Sequence, residues 1–446
     1  MPRRTSVVMP LTLALTLVVL MLPAGARAAA KEKVLHEFRD EPLDYSGLVF
    51  DAAGNLYGTT YYGGVGKRCE SGCGTVFELT PKKGGGWTQK VLYSFLGWKA
   101  GDGQYPSAGL ILDSAGNLYG TTQQGGVYGL AGGIVFELTP GANGQWTETI
   151  LHSFTNIGDP GGDGYQPWAG VIFDAAGNLY GTTVAGGASD EGTVFELSPD
   201  AGGWTETLLY SFTNINGNGE TPYSGVIFDA AGNLYGTTPN GGTGRCGSYK
   251  YDCGVVYELS PPQQQGGAWT ETVIHSFQGA KDGSDPLYAN LIFDKEGNLY
   301  GTVPVGGHTS SQYPGGCGTV FELTPGSNGV WAESRLFAFP ASGLEGAEPL
   351  AGLILDAKGN LYGTTAYGGI ADSCDNYGCG TVFRLTPVGG GKWSEAVLLR
   401  FPANGKSGLS PSSALVLDKK GNLYGTTQNG GLRLNSFAGV AFEIVP

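Results

Sequence analysis

Short apolar runs recur along the chain, and a polar turn that contains glycine follows each of them. In one copy, Gly170-Val-Ile-Phe-Asp174 is followed by Ala-Ala-Gly-Asn178 and then by Leu179-Tyr-Gly-Thr-Thr183. Apolar runs of this length, bounded by turn residues, are typical of β-strands. The turn requires a residue that tolerates positive φ, which Gly177 supplies, and Asp174 can cap the turn amides. The pattern therefore predicts two strands joined by a tight turn.

The core of this pattern, Gly-Asn-Leu-Tyr-Gly-Thr, occurs seven times at intervals of 55 to 65 residues. A repeat of this length indicates a propeller or a solenoid. In the third unit, two further strands, Gly192–Ser198 and Trp204–Phe212, are joined by a hairpin, which completes the four strands of a propeller blade. We therefore predict an all-β fold, a seven-bladed β-propeller with four antiparallel strands per blade. The seven copies begin at Gly54, Gly116, Gly177, Gly232, Gly297, Gly359 and Gly421.

The strands at the two ends of the repeat array predict how the ring closes. Only six fourth strands open with tryptophan, and the last strand of the array, Gly439–Val445, is a third strand. Near the start, Val34–Phe38 matches the fourth-strand segment Val91–Phe95. We expect it to complete the seventh blade as the outer strand, which would leave no unpaired edge between the last and first blades.

The composition fits a globular all-β protein. The chain has 79 glycines and 24 prolines, yet 41% of its residues are hydrophobic, which argues against both long helices and disorder. At the start, Arg3 and Arg4 precede an apolar run from Val7 to Leu22, and small residues suited to cleavage follow. We therefore expect a secretory signal peptide at residues 1–30 and a single propeller domain at residues 31–446, secreted or periplasmic.

The chain is acidic, with a formal net charge of −14 at pH 7. Removal of residues 1–30 would take away three arginines and no acid, which leaves a charge near −17. Such a charge argues against nucleic acid or an anionic membrane as a partner and favours cations, neutral glycans or simply solubility. No later segment is apolar enough to span a membrane, and we expect a monomer.

The predicted strand order separates the connections onto two faces. The turns between first and second strands and between third and fourth strands are regular and share one face. The irregular segments, which join second to third strands or cross between blades, share the other, here called the loop-rich face. Variable loops on a rigid framework commonly carry binding functions. We therefore predict that ligands bind at the loop-rich face.

The repeated pattern Asp-x-x-Gly-Asn-Leu-Tyr-Gly-Thr-Thr, Gly-Gly, Gly-Thr-Val-Phe-Glu-Leu-Thr-Pro resembles the GloVer tandem-repeat family of exported bacterial proteins. The similarity covers nearly all of residues 34–446. It implies a secreted repeat protein, often attached to the cell surface, with no established activity. This chain departs from the family in ending at Pro446 without a sorting tail. More loosely, the turn is similar to those of NHL and virginiamycin B lyase-like propellers.

Six of the seven cysteines fall in pairs within three loops of the loop-rich face. We expect the disulfides Cys69–Cys73, Cys246–Cys253 and Cys374–Cys379, each a local staple. Cys317 has no partner in its own loop and is predicted to be a free thiol. A metal site built from these cysteines is disfavoured, because separate blades hold them apart and thiols oxidise outside the cytosol.

The crossovers between blades place an oxygen-bearing side chain four residues before a proline. In projection these side chains would form a broken ring of carboxylates near the mouth of the central channel. Calcium takes oxygen ligands of this kind. In the alternative interpretation, the Asp-Gly and Asn-Gly pairs only make turns. The candidate calcium ligands are Asp102, Asp163, Asp282 and Glu345.

Aromatic residues near the same rim form a second candidate site. Flat aromatic faces with polar neighbours suit sugars and other amphipathic ligands. The alternative is packing at the blade edges. Four aromatics stand just before the small residue that opens an innermost strand: Tyr45, Trp168, Tyr223 and Tyr288. Four more come from neighbouring loops: Trp98, Tyr105, Tyr165 and Tyr367.

Signals of catalysis are few. His36, His152 and His275 occupy the fourth-strand position that Tyr93 and Tyr210 hold in other units, which favours a role in the repeat. No nucleophile elbow, zinc-binding pair or phosphate loop is present. We predict a secreted binding or scaffold propeller that presents its loop-rich face to a glycan or another exported protein. The alternatives are a metal-assisted lyase or hydrolase, like the lactonase and virginiamycin B lyase propellers, and a structural component of the cell surface.

Overall fold

The computed structural model describes residues 30–38, 43, 46–155, 162–213, 215–246, 252–264, 266–288, 290–370, 374, 377–404, 406–431 and 438–445. These residues form seven four-stranded antiparallel sheets, which confirms the predicted seven-bladed β-propeller. The expected signal peptide falls almost wholly outside the described residues. Among the described residues, no helix combines the length and hydrophobicity required to cross a membrane.

Each blade is a meander whose first strand is the innermost and whose fourth is the outermost. Blade 1 comprises Val49–Phe50, Leu56–Thr60, Thr75–Pro81 and Trp87–Ser94. Blade 2 comprises Ile111–Leu112, Leu118–Thr122, Ile134–Pro140 and Trp146–Ser153. Blade 3 comprises Ile172–Phe173, Leu179–Thr183, Thr193–Asp200 and Gly203–Ser211. Blade 4 comprises Ile227–Phe228, Leu234–Thr238, Val255–Ser260 and Thr270–Ser276.

The remaining blades follow the same order. Blade 5 comprises Ile292–Phe293, Leu299–Val303, Thr319–Pro325 and Trp331–Ala338. Blade 6 comprises Ile354–Leu355, Leu361–Thr365, Thr381–Gly389 and Lys392–Arg400. Blade 7 comprises Val416–Leu417, Leu423–Thr426, Val440–Val445 and the N-terminal Lys31–Glu37.

A few short elements lie outside the blades. Two crossovers add a two-residue strand pair each, Gly103–Gln104 with Gln124–Gly125 and Gly219–Glu220 with Asn240–Gly241. Single turns of 3-10 helix occur at Trp98–Ala100, Ala142–Gly144 and Ser327–Gly329.

The ring closes through the N-terminal strand, as predicted from the strand count. Lys31–Glu37 pairs antiparallel with Val440–Val445, in a register that sets Lys31 opposite Val445 and Glu37 opposite Val440. Its addition supplies the fourth strand of blade 7, so the third strand of that blade is not an open edge.

The core lies between neighbouring blades. The phenylalanine that follows each fourth strand packs against an aromatic ring on the third strand of the next blade. Phe95 and Phe136, for example, lie with ring centroids 5.1 Å apart and are both fully buried. Such edge-to-face pairs stabilise beyond the area they bury. The other pairs are Phe38–Phe77, Phe154–Phe195, Phe212–Tyr257, Phe277–Phe321, Phe339–Phe383 and Phe401–Phe442.

These core aromatics explain the glycine of the repeated Tyr-Gly-Thr. Gly58 lies opposite Phe77 in the strand pair, and a Cβ at Gly58 would be 2.7 Å from Phe77 Cζ. The ring therefore fills the space that any side chain would need. The corresponding glycines of the other six blades meet the same obstacle, with distances of 2.4–2.8 Å.

A ring of seven threonine side chains links the second strands to the next blade. Each hydroxyl donates to the main-chain carbonyl of a residue that leads into the neighbouring first strand, at 2.8–3.2 Å, and six of the seven acceptors are small residues. The threonines are buried, so each bond forms away from water. The pairs are Thr59–Ala108, Thr121–Ala169, Thr182–Ser224, Thr237–Pro286, Thr302–Ala351, Thr364–Ser413 and Thr426–Ser46.

Candidate functional site

The loop-rich face carries the three disulfides. Cys69–Cys73, Cys246–Cys253 and Cys374–Cys379 are bonded in the pairing expected from the sequence. Cys317 is a buried free cysteine, and its main-chain amide donates to the carbonyl of His308 in the same loop. Three disulfides in one chain suggest an extracellular or periplasmic protein.

The crossovers are held in an unusual backbone conformation. The residue before each crossover proline has a positive φ of 54–62°, although none of these residues is glycine. In Tyr105, the amide donates to the carbonyl of Cys73 in the preceding blade, and the carbonyl accepts from the amide of Gln123. Left-handed backbone in such residues is strained and persists where surrounding bonds hold it. The six residues are Tyr105, Gln166, Thr221, Asp285, Glu348 and Ser410.

Three predicted ligand-binding aromatics, from three consecutive blades, form one cluster. The ring centroids of Trp168 and Tyr223 are 5.3 Å apart, those of Tyr223 and Tyr288 are 5.8 Å apart, and those of Trp168 and Tyr288 are 6.1 Å apart. All three side chains are half-buried. This cluster is called the aromatic crescent below.

The innermost strands position the crescent at the mouth of the central channel. Each aromatic stands four residues before its first strand and two residues before a position near the axis, and the residues at these positions approach one another closely. A Cβ at Gly170 would be 2.9 Å from the carbonyl oxygen of Gly109, and the Gly225 amide donates to Asn290 Oδ1 at 3.0 Å. Small residues at the axis therefore bring the aromatics of neighbouring blades together.

The other predicted aromatics lie elsewhere. Trp98 is 37% exposed, with the ammonium of Lys99 5.4 Å from its ring centroid. Tyr105 stacks on Tyr61, with ring centroids 5.0 Å apart. Tyr165 donates to Asp190 Oδ1 at 2.9 Å, and Tyr367 packs against Tyr377. Tyr45 lies outside the described residues.

A pocket of about 680 Å³ lies between loops of blades 4 and 5 on the loop-rich face. Asp285, three residues before Tyr288 in the crossover, contributes to its lining, as do Arg245 and Asp252. Next to it, burial and the charges of Glu191 and Asp252 raise the pKa of Glu220 to about 7. This part of the face is therefore acidic and polar beside a half-buried apolar surface.

The crossover acids predicted as calcium ligands make local contacts in the structure. The crossover acids lie where the outer strands of neighbouring blades meet, a region called the outer seam below. Their side chains cap the chain as it leaves the fourth strand. Asp102 Oδ2 accepts from the Leu96 amide at 2.7 Å. Asp163 and Asp282 accept in the same way from Thr155 and Gln278, and the charge of Glu345 acts on Glu395 of the next fourth strand. These contacts match the turn interpretation, and no three His, Cys, Asp or Glu side chains among the described residues are grouped to hold a metal ion.

Two histidines on fourth strands pair with these seam acids. His152 Nε2 lies 2.6 Å from Asp163 Oδ2, and His275 Nε2 lies 3.1 Å from Asp282 Oδ2. Burial opposes ionisation of Asp163, but hydrogen bonds from His152 and Thr155 hold the pKa of its carboxyl below the usual value. The histidines therefore belong to the outer seams, as the equivalence with Tyr93 predicted.

Sequence prediction missed one set of residues in these seams, the glutamates of the fourth strands. Their signal is a Trp-x-Glu spacing at the start of the strand, present in five blades. The alternation of side chains along an outer strand predicts that such a glutamate is exposed to solvent. The preceding blade covers it, however, and burial together with the charge of Asp102 raises the pKa of Glu148 to about 8.

One of two similar solved structures, that of an ulvan lyase, supports the fold. An ulvan lyase from a new family of polysaccharide lyases, bound to -[GlcA(1-4)Rha3S]-, is 11% identical with a TM-score of 0.52, and the match covers 90% of this chain and 94% of that chain. A gluconolactonase from Xanthomonas campestris is 12% identical with a TM-score of 0.40, over 94% of this chain and 98% of that chain. At these identities the likeness concerns the fold alone.

Sequence comparison identifies the family. No curated protein matches the chain. The profile of the Gloeobacter/Verrucomicrobia repeat matches twice in tandem, at residues 44–249 and 247–446. Together the two matches span all seven repeated turns. The chain therefore belongs to the Gloeobacter/Verrucomicrobia repeat family.

Proposed function

We propose that this protein is an exported carbohydrate-binding propeller and that the aromatic crescent of Trp168, Tyr223 and Tyr288 is its sugar platform. The convergence of three aromatic rings from three blades at one channel mouth is the observation that supports this proposal. Sugars present C–H faces that stack on aromatic rings, while their hydroxyl groups bond to polar neighbours. The rings are packed against each other, so little side-chain freedom is lost on binding.

The surroundings of the crescent favour an uncharged sugar. Glu220, Asp252 and Asp285 lie in or beside the pocket between blades 4 and 5, where they outnumber Arg245, and the whole chain carries a net charge of −14. Carboxylates here would repel uronate and sulfate groups. The ulvan lyase with the similar fold is bound to a sugar of that anionic kind. We infer that the ligand of the present protein is a neutral glycan.

The pocket between blades 4 and 5 supplies the polar side of the proposed site. Asn240, Ser284 and Thr309 line it beside the charged groups already named. Amide and hydroxyl groups of this kind donate to and accept from sugar hydroxyls. A glycan that stacks on the crescent would extend toward this pocket along the crossover that carries both Asp285 and Tyr288.

The test is a carbohydrate microarray followed by affinity electrophoresis of the folded protein in gels that contain single polysaccharides. Neutral polysaccharides are expected to retard the protein, and sulfated or uronate-rich polymers are not. Added salt distinguishes the two modes, because stacking on aromatic rings is insensitive to ionic strength while charge-driven binding is weakened. The proposal fails if no carbohydrate retards the protein or if only anionic polymers do so.

A further inference from the structure

The outer seams between blades contain a repeated carboxyl group with an unusual environment. The fourth-strand glutamates face the preceding blade, and in five of them one carboxyl oxygen is buried with no hydrogen-bond partner among the described residues. A buried carboxylate with an unbonded oxygen is costly, whereas a neutral carboxyl group is much less so. The five atoms are Oε1 of Glu32, Glu148, Glu206, Glu333 and Glu395.

The seam between blades 1 and 2 shows why a proton is needed there. The hydroxyl oxygen of Tyr93 lies 3.0 Å from Asp102 Oδ2 and 2.9 Å from Glu148 Oε2. A tyrosine hydroxyl has one proton and donates one hydrogen bond. Two ionised carboxylates cannot both accept it, so one of the two contacts requires a carboxyl group that donates to the tyrosine oxygen.

The hydrogen bonds indicate which carboxyl carries the proton. Asp102 accepts from two main-chain amides, those of Leu96 at 2.7 Å and Gly103 at 2.5 Å, and such bonds stabilise an ionised carboxylate. Among the described residues, no main-chain amide donates to Glu148, and its Oε1 is buried without a hydrogen-bond partner. Glu148 is therefore the protonated member, with Tyr93 donating to Asp102.

The seam between blades 3 and 4 is a natural control. Asn218 takes the place of the crossover acid, and its side-chain amide donates to the Tyr210 oxygen at 3.3 Å. Tyr210 in turn donates to Glu271 Oε2 at 2.7 Å, and the Gly219 amide donates to Glu271 Oε1 at 2.9 Å. Both carboxyl oxygens are bonded and only one acid is present. This seam needs no shared proton.

We propose that the seam between blades 1 and 2 is a proton-binding site, in which Asp102 and Glu148 share one proton at neutral pH and lose it under mildly alkaline conditions. Tyr93 is the other titratable group that faces the pair, and Glu148 lies opposite Leu138 within its own sheet. Loss of the proton leaves two buried negative charges side by side, which weakens this contact between the blades.

The sign of the effect follows from the difference between the folded and unfolded states. In the unfolded chain Glu148 has the ordinary glutamate pKa of 4.5, but burial, followed by the charge of Asp102, raises its pKa to about 8 in the fold. Between these two values the native state binds the extra proton. The contribution of Glu148 to the free energy of unfolding is therefore fully present below pH 4.5 and is lost as pH rises toward 8. In this range the folding equilibrium constant falls by up to about tenfold per pH unit.

The experiment compares chemical denaturation of the full chain and of Glu148→Gln between pH 5.5 and 9. Glutamine keeps the size of the protonated side chain but has no proton to lose. Relative to this variant, the folding constant of the unmodified protein is expected to fall about tenfold or more from pH 6 to pH 8. Asn218→Asp installs a second acid in the control seam, and this variant is expected to become more sensitive to alkali than the unmodified protein.

A direct titration covers the case in which a variant does not fold. Nuclear magnetic resonance of the unmodified protein, labelled with ¹³C at the glutamate carboxyl groups, is expected to show one glutamate with a midpoint near pH 8. Equal pH dependence of the unmodified protein and Glu148→Gln, or the absence of any glutamate that titrates above about pH 7.5, overturns the proposal.

Discussion

Thr426 Oγ1 donates a hydrogen bond of 2.9 Å to the main-chain carbonyl of Ser46, a residue 380 positions away in the sequence. The bond repeats, between the last and first blades, the contact that links every other neighbouring pair. Both residues are buried. The first and last blades are therefore joined inside the ring by the same hydrogen bond as the rest, and at its rim by the N-terminal strand.

Replacing Thr426 by valine tests this closing contact. The substitution keeps the shape of the side chain and leaves the Ser46 carbonyl without its donor. We expect a loss of about 1–3 kcal/mol in the free energy of unfolding, the usual cost of a buried unpaired polar group. Denaturant titration measures it. Thr237→Val, in the equivalent bond between blades 4 and 5, is the matched control, because Thr237 also contacts a serine hydroxyl of its own blade as Thr426 does, and it is expected to cost as much. No effect for Thr426→Val alone would contradict a closed ring.

Replacing Gly181 by alanine tests the explanation of the repeated glycine. The new Cβ would lie 2.6 Å from Phe195 Cζ, so the ring must move. Overpacking of this kind costs about 1–3 kcal/mol. Gly202→Ala, on an exposed hairpin, is the control and is expected to change stability by less than about 0.5 kcal/mol.

The same substitution offers an internal check. Phe195→Leu makes room for the added methyl group, so it is expected to cost less in the Gly181→Ala background than in the unmodified protein. If the losses in unfolding free energy for Gly181→Ala and Phe195→Leu simply add in the double variant, the aromatic ring is not the reason for the glycine.

Truncation of the crescent tests the proposed sugar platform. Trp168→Ala removes the largest ring of the crescent, and we expect a loss of about 2 kcal/mol in binding free energy, roughly 30-fold in affinity for the neutral glycan. Titration calorimetry measures it. Trp98→Ala is the control, because that ring is exposed outside the crescent and is expected to leave affinity unchanged. Equal losses for the two variants would rule out the crescent as the binding surface.

Removal of a loop disulfide tests its contribution to stability. Cys69→Ser with Cys73→Ser opens a link that spans four positions in sequence. A loop this short limits the entropic gain, so we expect a loss of about 2 kcal/mol. Denaturant titration of the double variant and of the unmodified protein, both without reductant, measures the loss. A much larger loss would show that the loop contributes to the blade itself.

The fold could be predicted from the sequence because every blade repeats the same physical constraints. Three features recur at the same position of all seven units. They are the glycine of Tyr-Gly-Thr, the turn that blade 3 has at Asp174–Asn178, and the phenylalanine after each fourth strand. The repeats contain seven first, second and third strands but only six fourth strands that open with tryptophan. The N-terminal strand was therefore needed to complete blade 7. Each of these features is local in sequence, so periodicity alone revealed it.

The site was less predictable because it depends on where side chains point after a crossover. The sequence singled out Trp168, Tyr223 and Tyr288 through their spacing from a first strand, because a strand fixes the direction of the side chains beside it. Asp102 lies four residues before a crossover proline, as the other predicted calcium ligands do, yet its side chain turns outward and accepts a hydrogen bond from the Leu96 amide. Spacing from a proline does not encode that direction. The seam glutamates were missed because only the neighbouring blade buries them.

The pairing of Lys31–Glu37 with Val440–Val445 sets the timing of assembly. Lys31–Glu37 is synthesised more than 400 residues before its partner strand. Blade 7 therefore cannot be completed before Val440–Val445 has been made. Until then the early strand has no partner, and the ring stays open.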